Sequence, residues 1–247
     1  MKGITFRPVT VVMIASLSFY VALLVANPRE KKMNVSTPRY VDPGVAGVAP
    51  ADAIVLFDGT DLSKWRNRKG GGPAEWVVQD GVATVNGTGD IATRESFGDV
   101  QFHIEWAIPA DTASDRKNGN SGIKFHERYE IQIINSYMRT MRPETSCGSV
   151  YVQHPPLVNA SRKPGEWQSY DIVFRAPRFD EIGNLISRGT FTVFHNGVLI
   201  HDNVTIFGPT NSTDPVKPLY MKPLFVQDHG SPVRFRNIWI RPLADRE

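Results

Sequence analysis

Apolar and polar residues alternate in short runs along most of this chain, a pattern typical of half-buried β-strands. The clearest run is VQFHIEWAI at 100–108. Successive side chains of a strand point to opposite faces, so one face of this strand is predicted to enter a core. The apolar face would carry Val100, Phe102, Ile104 and Trp106, and the other face Gln101, His103, Glu105 and Ala107.

Similar runs predict strands throughout the chain, joined by turns with their own signals. Asp80-Gly81 and Asn196-Gly197 each separate two apolar runs by two residues, which is typical of a tight β-hairpin. No helical period persists beyond the N-terminal segment. The chain is therefore predicted to be all-β, a two-sheet antiparallel sandwich. The predicted strands are 54–57, 76–79, 82–85, 91–93, 100–108, 121–126, 129–134, 149–151, 168–176, 189–195, 198–203, 224–227 and 233–241.

The N-terminal segment has a different pattern. Lys2 and Arg7 precede an apolar run from Val9 to Ala26. This predicts either a cleaved export signal or an uncleaved membrane anchor at 1–26, and both alternatives stay open. Either would place the folded part in the periplasm or outside the cell. Residues 27–51 are predicted to form a linker and 52–247 the folded domain.

Composition narrows the choice of partners. The hydrophobic fraction of 41% allows a sizeable core, and the formal net charge of +3 is too small to indicate nucleic-acid binding. Membrane contact is expected only through the N-terminal segment. Cys147 is the single cysteine, so no internal disulfide can form, and it is expected to be a small buried hydrophobe.

A polar pattern inside an apolar strand points to a site. In the run YEIQII at 129–134, Glu130 and Gln132 share one face of the predicted strand. A carboxylate and an amide on such a face are costly if buried without partners. A second polar segment, Gln227-Asp228-His229-Gly230, precedes the last strand. The two segments together predict a polar site on the face of the sandwich.

Several motifs, taken in order, resemble a known family. They include LFDGTDLSKW at 56–65, GNSGIKF at 119–125, YEIQIINSY at 129–137 and LFVQDHGSPVRFRNIWIRPL at 224–243. The chain resembles the bacterial 3-keto-disaccharide hydrolase domain family over nearly all of 54–243. The resemblance implies a concanavalin-like jelly roll. Asn135 and Val152 depart from the family's pattern, which commonly has aspartate and glycine at these positions.

The resemblance also implies cleavage of glycosides that are already oxidised at C3, with a small oxidised carbohydrate as substrate. The ketone acidifies the C2 proton, a base removes it, the aglycone leaves C1, and water adds to the resulting glycal. This chemistry needs a general base and a donor or cation for the enolate oxygens. An ordinary retaining glucanase is disfavoured, because the strand reads Glu130-Ile131-Gln132 and lacks paired carboxylates.

The candidate catalytic residues are Glu130, His229 and Glu105. Glu130 is expected to act as general base or as ligand of a divalent cation, with Gln132 as a second possible ligand. His229 is expected to be an acid or base near neutral pH. Glu105 lies beside His103 on the polar face of its strand. The candidate substrate-binding residues are Gln132, Asn120, Asp228, Arg236 and Lys124.

A different class of function stays open at this stage. Concanavalin-like sandwiches often bind carbohydrate without turnover, so a non-catalytic binding or interaction module is the alternative. Such a module is expected to expose an aromatic platform. The tryptophans are instead predicted mainly to fill the core; they are Trp65, Trp76, Trp106, Trp167 and Trp239.

Overall fold

The computed structural model describes residues 37–45, 48–111, 118–210 and 220–244. The predicted signal or anchor at 1–26 lies outside these residues. The compact unit begins at Tyr40. In the described ranges no helix is both long and apolar enough to cross a membrane.

The described residues form fifteen strands and one short 3-10 turn, Pro143–Thr145. The strands are β1 (Ile54–Phe57), β2 (Trp65–Asn67), β3 (Val77–Gln79), β4 (Val82–Thr84), β5 (Ile91–Thr93), β6 (Val100–Ala107), β7 (Ser121–Phe125), β8 (Tyr129–Ile133), β9 (Gln168–Arg175), β10 (Arg178–Phe179), β11 (Leu185–Ser187), β12 (Thr190–His195), β13 (Val198–Thr205), β14 (Phe225–Val226) and β15 (Arg234–Pro242).

Two antiparallel sheets account for most of these strands, which confirms the predicted all-β sandwich. The large sheet has the order β13-β12-β9-β6-β15-β4-β3, and β1 also pairs with β15. The small sheet has the order β2-β5-β14-β7-β8. Strands β10 and β11 form a separate two-stranded ribbon.

Aromatic side chains join the inner faces of the two sheets. The ring of Phe125, on β7 of the small sheet, lies 5.5 Å from Phe102, 5.0 Å from Phe174 and 5.3 Å from Phe191 of the large sheet. All four residues are essentially inaccessible to solvent. Such aromatic pairs contribute about 0.5–1.5 kcal/mol each beyond simple burial. The space between the inner faces is thus filled by core side chains.

The sequence pattern predicted most of the strands. In β6 the apolar face is buried, as expected, and the polar face points outward. Both hairpin turns have the positive φ angles that they require: 50° and 78° at Asp80-Gly81, and 53° and 78° at Asn196-Gly197. Strand 149–151 was wrongly predicted. Val150 makes only two isolated bridges, to Ile131 and His154, because Gly148 and Val152 take positive φ angles on either side.

Candidate active site

One row of side chains crosses the outer face of the small sheet. Glu130 of β8 pairs with Lys124 of β7, and Lys124 pairs with Phe225 of β14. Residues paired directly across antiparallel strands share a face. Their strand neighbours Ile123, Tyr129 and Ile131 are buried in the core. The alternation of the sequence therefore sends Glu130 and Lys124 to the same outer face.

Glu130 is a buried acid beside a cation. It is only 4% exposed, and its Oε2 lies 3.3 Å from Nζ of Lys124. Burial raises the pKa of the Glu130 carboxyl. The Lys124 ammonium, the nearby His229 and a hydrogen bond from the Gln227 amide partly oppose this increase. A carboxyl with a raised pKa on an outer face is a candidate general acid or base.

Two amides flank this carboxyl. Gln132 and Gln227 are both buried, and the Oε1 atom of each lacks a hydrogen-bond partner among the described residues. Gly122 lies between them: it pairs with Gln132, and its carbonyl accepts a hydrogen bond from the Gln227 N–H. Buried acceptors without partners are costly. Their position next to Glu130 is explained if a ligand or an ordered water donates to them.

A cleft of about 860 Å³ opens beside this row. Arg68 lines the cleft and places its guanidinium 4.2 Å from the centre of the Phe225 ring. Nζ of Lys124 lies 5.7 Å from the centre of the same ring. Phe225 therefore separates the cleft from the Lys124–Glu130 pair by the width of one side chain. The remaining lining residues are Asn67, Lys69, Gly70, Thr88, Gly89, Asp90 and Glu127.

The predicted polar turn borders this cleft. Asp228 accepts hydrogen bonds from the N–H groups of Gly89 (2.9 Å) and Gly230 (2.7 Å), and its own N–H donates to Asp90 (2.9 Å). Both carboxylate oxygens of Asp228 are thus engaged in holding the turn against the cleft wall. His229 is exposed next to it and acts electrostatically on Glu130. The structure therefore brings His229 and Glu130 to the same side of the sandwich.

The other residues of the β7 segment divide between two locations. Asn120 directly precedes β7 and, by strand alternation, shares the outer face with Gly122 and Lys124. His126, at the other end, is buried and hydrogen-bonds through Nε2 to the carbonyl oxygen of Phe97 at 2.8 Å. Burial lowers the pKa of His126 to about 4. This histidine belongs to the turn and the core, not to the site.

The prediction that Glu105 and Arg236 belong to the same site as Glu130 is wrong. They form an ion pair of 2.6 Å on the outer face of the large sheet. Glu130 lies on the outer face of the small sheet, and the shared core separates the two faces. Glu105 and Arg236 therefore cannot contact a sugar ring that is bound at Glu130. Strand alternation identified them correctly as outward-facing, but it carries no information about which sheet a strand joins.

The donor set at Glu130 does not suit a divalent cation. The described ranges contain no group of three or more His, Cys, Asp or Glu side chains placed to hold a metal. Calcium or magnesium needs several oxygen ligands, preferably including more than one carboxylate. Around Glu130 the neighbours are the neutral amide of Gln132 and the ammonium of Lys124, which repels a cation. Asn135 is buried and neutral as well.

Sequence reasoning missed three contributors to this site. Gln227 was part of the segment that drew attention, and its alternation with Val226 could have assigned it to the outer face. The role of Gly122 could not be predicted from the sequence. A glycine fits here because a β-carbon would collide with Gln227 and Glu130, which come from other segments of the chain. Arg68 lies in the irregular segment after β2. Apolar and polar residues do not alternate there, so the sequence could not predict where its side chain points.

Comparison with known proteins places the chain in a family. A model of the 3-keto-alpha-glucoside-1,2-lyase-like domain matches residues 52–241. A 3-keto-disaccharide hydrolase from Bacteroides thetaiotaomicron is 31% identical over 88 residues, which are 30% of this chain. The match spans only 28% of the length of that relative.

Two solved structures from Parabacteroides distasonis, both of candidate glycosyl hydrolases, have a similar fold. One is 44% identical, has a TM-score of 0.79, and aligns over 88% of this chain and 97% of its own. The other is 23% identical, has a TM-score of 0.61, and aligns over 78% and 94%. At that identity the second structure supports the fold alone. Because the family model covers most of the chain, the protein belongs to the family of 3-keto-alpha-glucoside-1,2-lyase-like domains.

Proposed function

We propose that this protein cleaves 3-keto-glycosides, with Glu130 as the general base that removes the C2 proton. The observation that carries the proposal is the buried Glu130 carboxyl, whose pKa is raised, 3.3 Å from the Lys124 ammonium. A raised pKa makes the carboxylate a stronger base, and the adjacent ammonium keeps the ionised form accessible. Family membership and the names of the relatives support a glycosyl hydrolase-type enzyme.

Each step can be assigned to residues on this face. The Glu130 carboxylate takes the C2 proton, and the electron pair moves through C2–C3 onto the ketone oxygen. The Lys124 ammonium stabilises the negative charge that develops there. The C1–O bond then breaks, and the leaving oxygen takes a proton, for which His229 at the rim is the donor. Water adds at C1 and C2 regains a proton, so one water is consumed per bond cleaved.

The buried amides suit the same substrate. A sugar ring at Glu130 presents hydroxyl groups next to its C3 ketone. The unpaired Oε1 atoms of Gln132 and Gln227 can accept hydrogen bonds from those hydroxyls. A substrate lacking a hydroxyl would leave a buried acceptor without a partner, which costs about 1–3 kcal/mol. The amides therefore supply recognition, and Glu130 supplies chemistry.

The alternative, a binding module without turnover, is less well supported on this face. Such a module needs an accessible aromatic ring on which a sugar can stack. The aromatic residue of the Glu130 row is Phe225, which is 2% exposed and lies beneath the Arg68 guanidinium. A buried, perturbed carboxyl is in contrast an expensive feature that a simple binding surface does not require.

The proposal is tested by incubating the protein with a 3-keto-disaccharide in D₂O. NMR follows hydrogen–deuterium exchange at C2, and sugar release is measured in parallel. We expect Glu130→Gln to abolish both, and His229→Ala to slow release more than exchange. Glu144→Gln, which alters a partly exposed glutamate paired with Arg142, is the matched control and should keep wild-type rates. Equal exchange in wild type and Glu130→Gln would refute the assignment of the base.

A further inference from the structure

A second polar cleft lies on the opposite side of the sandwich. It encloses about 370 Å³ on the outer face of the large sheet. His103 of β6 and Asp171 of β9 pair across the floor, and Trp239 of β15 pairs with His103 from the other side. Small-molecule sites in proteins span roughly 300–1,000 Å³, so this cleft has room for a small ligand of about one or two sugar rings.

A β-bulge builds one wall of this cleft. Along β15 and β6, Arg236 pairs with Glu105 and Trp239 with His103, so two residues of β15 oppose a single residue of β6. Asn237 has a left-handed φ of 46°. Its side chain donates to Oε1 of Glu105 at 2.8 Å. Bulges of this kind redirect side chains. This one puts two consecutive residues, Arg236 and Asn237, on the same outer face.

The polar groups of the cleft are held in fixed orientations. Nδ1 of His103 lies 2.7 Å from Oδ1 of Asp171, and the His103 ring stacks on Trp239 at 5.1 Å. The Arg236 guanidinium is bonded to Glu105 at 2.6 Å and lies 4.1 Å from the centre of the Trp167 ring. Side chains restrained in this way lose little further entropy when a ligand binds.

Two opposite charges remain accessible at the rim. The side chain of Asp171 is 42% exposed and that of Arg236 is 43% exposed. Phe194 of β12 pairs with Asp171 and is 38% exposed, so an aromatic ring adjoins the carboxylate. An acceptor and a guanidinium donor that line the cleft, together with an apolar ring beside it, are the groups that recognise a polyhydroxylated ring.

We propose that this cleft is a second carbohydrate-binding site, separate from the reaction centre, that takes unoxidised sugar residues through their hydroxyl groups. Nothing in the cleft requires a ketone, since it lacks a buried acid with the environment of Glu130. It would hold a glycan to the protein while the other face carries out the proposed reaction. The binding claim does not depend on turnover.

The test uses unoxidised cellobiose, maltose and trehalose with the full chain, and binding is followed by isothermal titration calorimetry and tryptophan fluorescence. We expect saturable binding of at least one of them by wild type and by Glu130→Gln. Asp171→Ala and Phe194→Ala should each weaken it at least about tenfold. Asp202→Asn, an exposed aspartate of β13, is the control and should bind as wild type.

Two results would overturn this proposal. One is the absence of saturable binding of all three sugars at millimolar concentration. The other is binding that Glu130→Gln abolishes and that Phe194→Ala leaves intact, which would assign the sugar to the reaction centre. Circular dichroism confirms that each variant is folded, and Phe194→Ala provides an answer even if Asp171→Ala is unstable. Because the readout is binding, a failure here is distinct from a failure of the proposed reaction.

Discussion

Gly122 and Gln227 approach each other so closely that a β-carbon at position 122 would lie 2.4 Å from Oε1 of Gln227. The same β-carbon would lie 3.0 Å from Oε1 of Glu130. The amide and the carboxyl therefore occupy space that any other residue at 122 would fill. This glycine is in a strand with ordinary backbone angles, so its role is the missing side chain and not unusual conformational freedom.

Gly122→Ala should consequently impair the proposed reaction while the protein remains folded. The obstructed atoms are the ends of flexible side chains, so they can move away at little cost to stability. We expect kcat/KM on a 3-keto-disaccharide to fall about tenfold or more, equivalent to roughly 1.4 kcal/mol of lost transition-state stabilisation. Gly208→Ala, where a β-carbon meets nothing within 4 Å, is the control. Full activity of Gly122→Ala would show that the packing of Gln227 on Glu130 is irrelevant.

Lys124→Met should shift the pH dependence of the reaction. The Lys124 ammonium lowers the pKa of Glu130, opposing the increase due to burial. Without that charge the carboxyl keeps its proton to higher pH, so the rising limb of the kcat/KM profile should move to higher pH. Lys163→Met, a change on the exposed surface, is the matched control. An unchanged profile would argue against Glu130 as the group that must be ionised.

Mild acid should destabilise the fold through His126. Burial lowers its folded-state pKa to about 4, against about 6.5 in the unfolded chain. The unfolded state therefore binds a proton first as the pH falls, and stability is lost between about pH 6.5 and 4, by up to about 3 kcal/mol. His126→Asn, which tolerates the positive φ of 52° at this position, should make this dependence less steep, while burial of His195 and His201, which also lowers the pKa of each, leaves part of it. The measurement is the free energy of urea unfolding across this pH range, and an equally steep dependence in the variant would contradict the assignment.

Asp99→Asn should be strongly destabilising. The carboxylate is 3% exposed and receives hydrogen bonds from Arg175, Arg178 and the Ala176 N–H. Burial would raise its pKa, but these donors together lower it. The stability that they confer is present above the unfolded pKa of about 3.8 and is lost as the pH falls through the lower folded value.

Removal of this charge takes away the carboxylate that Arg175 and Arg178 share, at a cost of about 3–5 kcal/mol. Chemical denaturation at pH 7 measures the difference. Asp80→Asn is the control, because asparagine suits the positive φ of the hairpin turn as well as aspartate does. A loss below about 1 kcal/mol for Asp99→Asn would show that the ion pairs of Asp99 with the two arginines contribute little to stability.

Cys147 should be unreactive in the folded protein. The residue is 2% exposed, its Sγ lies 3.0 Å from the Tyr170 hydroxyl, and burial raises the pKa of the thiol. Only an accessible thiolate can attack a thiol reagent. We expect Ellman's reagent to detect no thiol in the native protein and one per chain after denaturation. Rapid labelling of native protein would indicate that the core opens around Cys147.

Much of the candidate site could be read from alternation within single strands. The pattern of β8 placed Glu130 and Gln132 on one face, and that of β7 placed Lys124 with them. The contact between Lys124 and Glu130 required only one further fact, that a tight turn joins the two strands. The pairing of two strands that a short turn joins can be predicted, because the turn itself sets the register between them.

Predictions across distant strands were less secure for a physical reason. Glu105 faces outward on β6 as expected, but β6 joins the large sheet and β8 the small one. The pairing of β6 with β9 and β15 involves residues more than sixty positions apart. The sequence pattern predicts whether a residue faces the core or the solvent. It does not predict which of the two sheets the strand joins.

The sequence by itself determined the all-β class, most strands, both hairpin turns and the family, because these depend on local periodicity, turn chemistry and ordered motifs. The segment at 1–26 stays a prediction of the same kind. Only the tertiary structure decided that Glu130, Gln132, Gln227 and His229 lie on one side while Glu105 and Arg236 lie on the other. That division arises from how two sheets pack through a common core, which is a property of contacts between residues far apart in the chain.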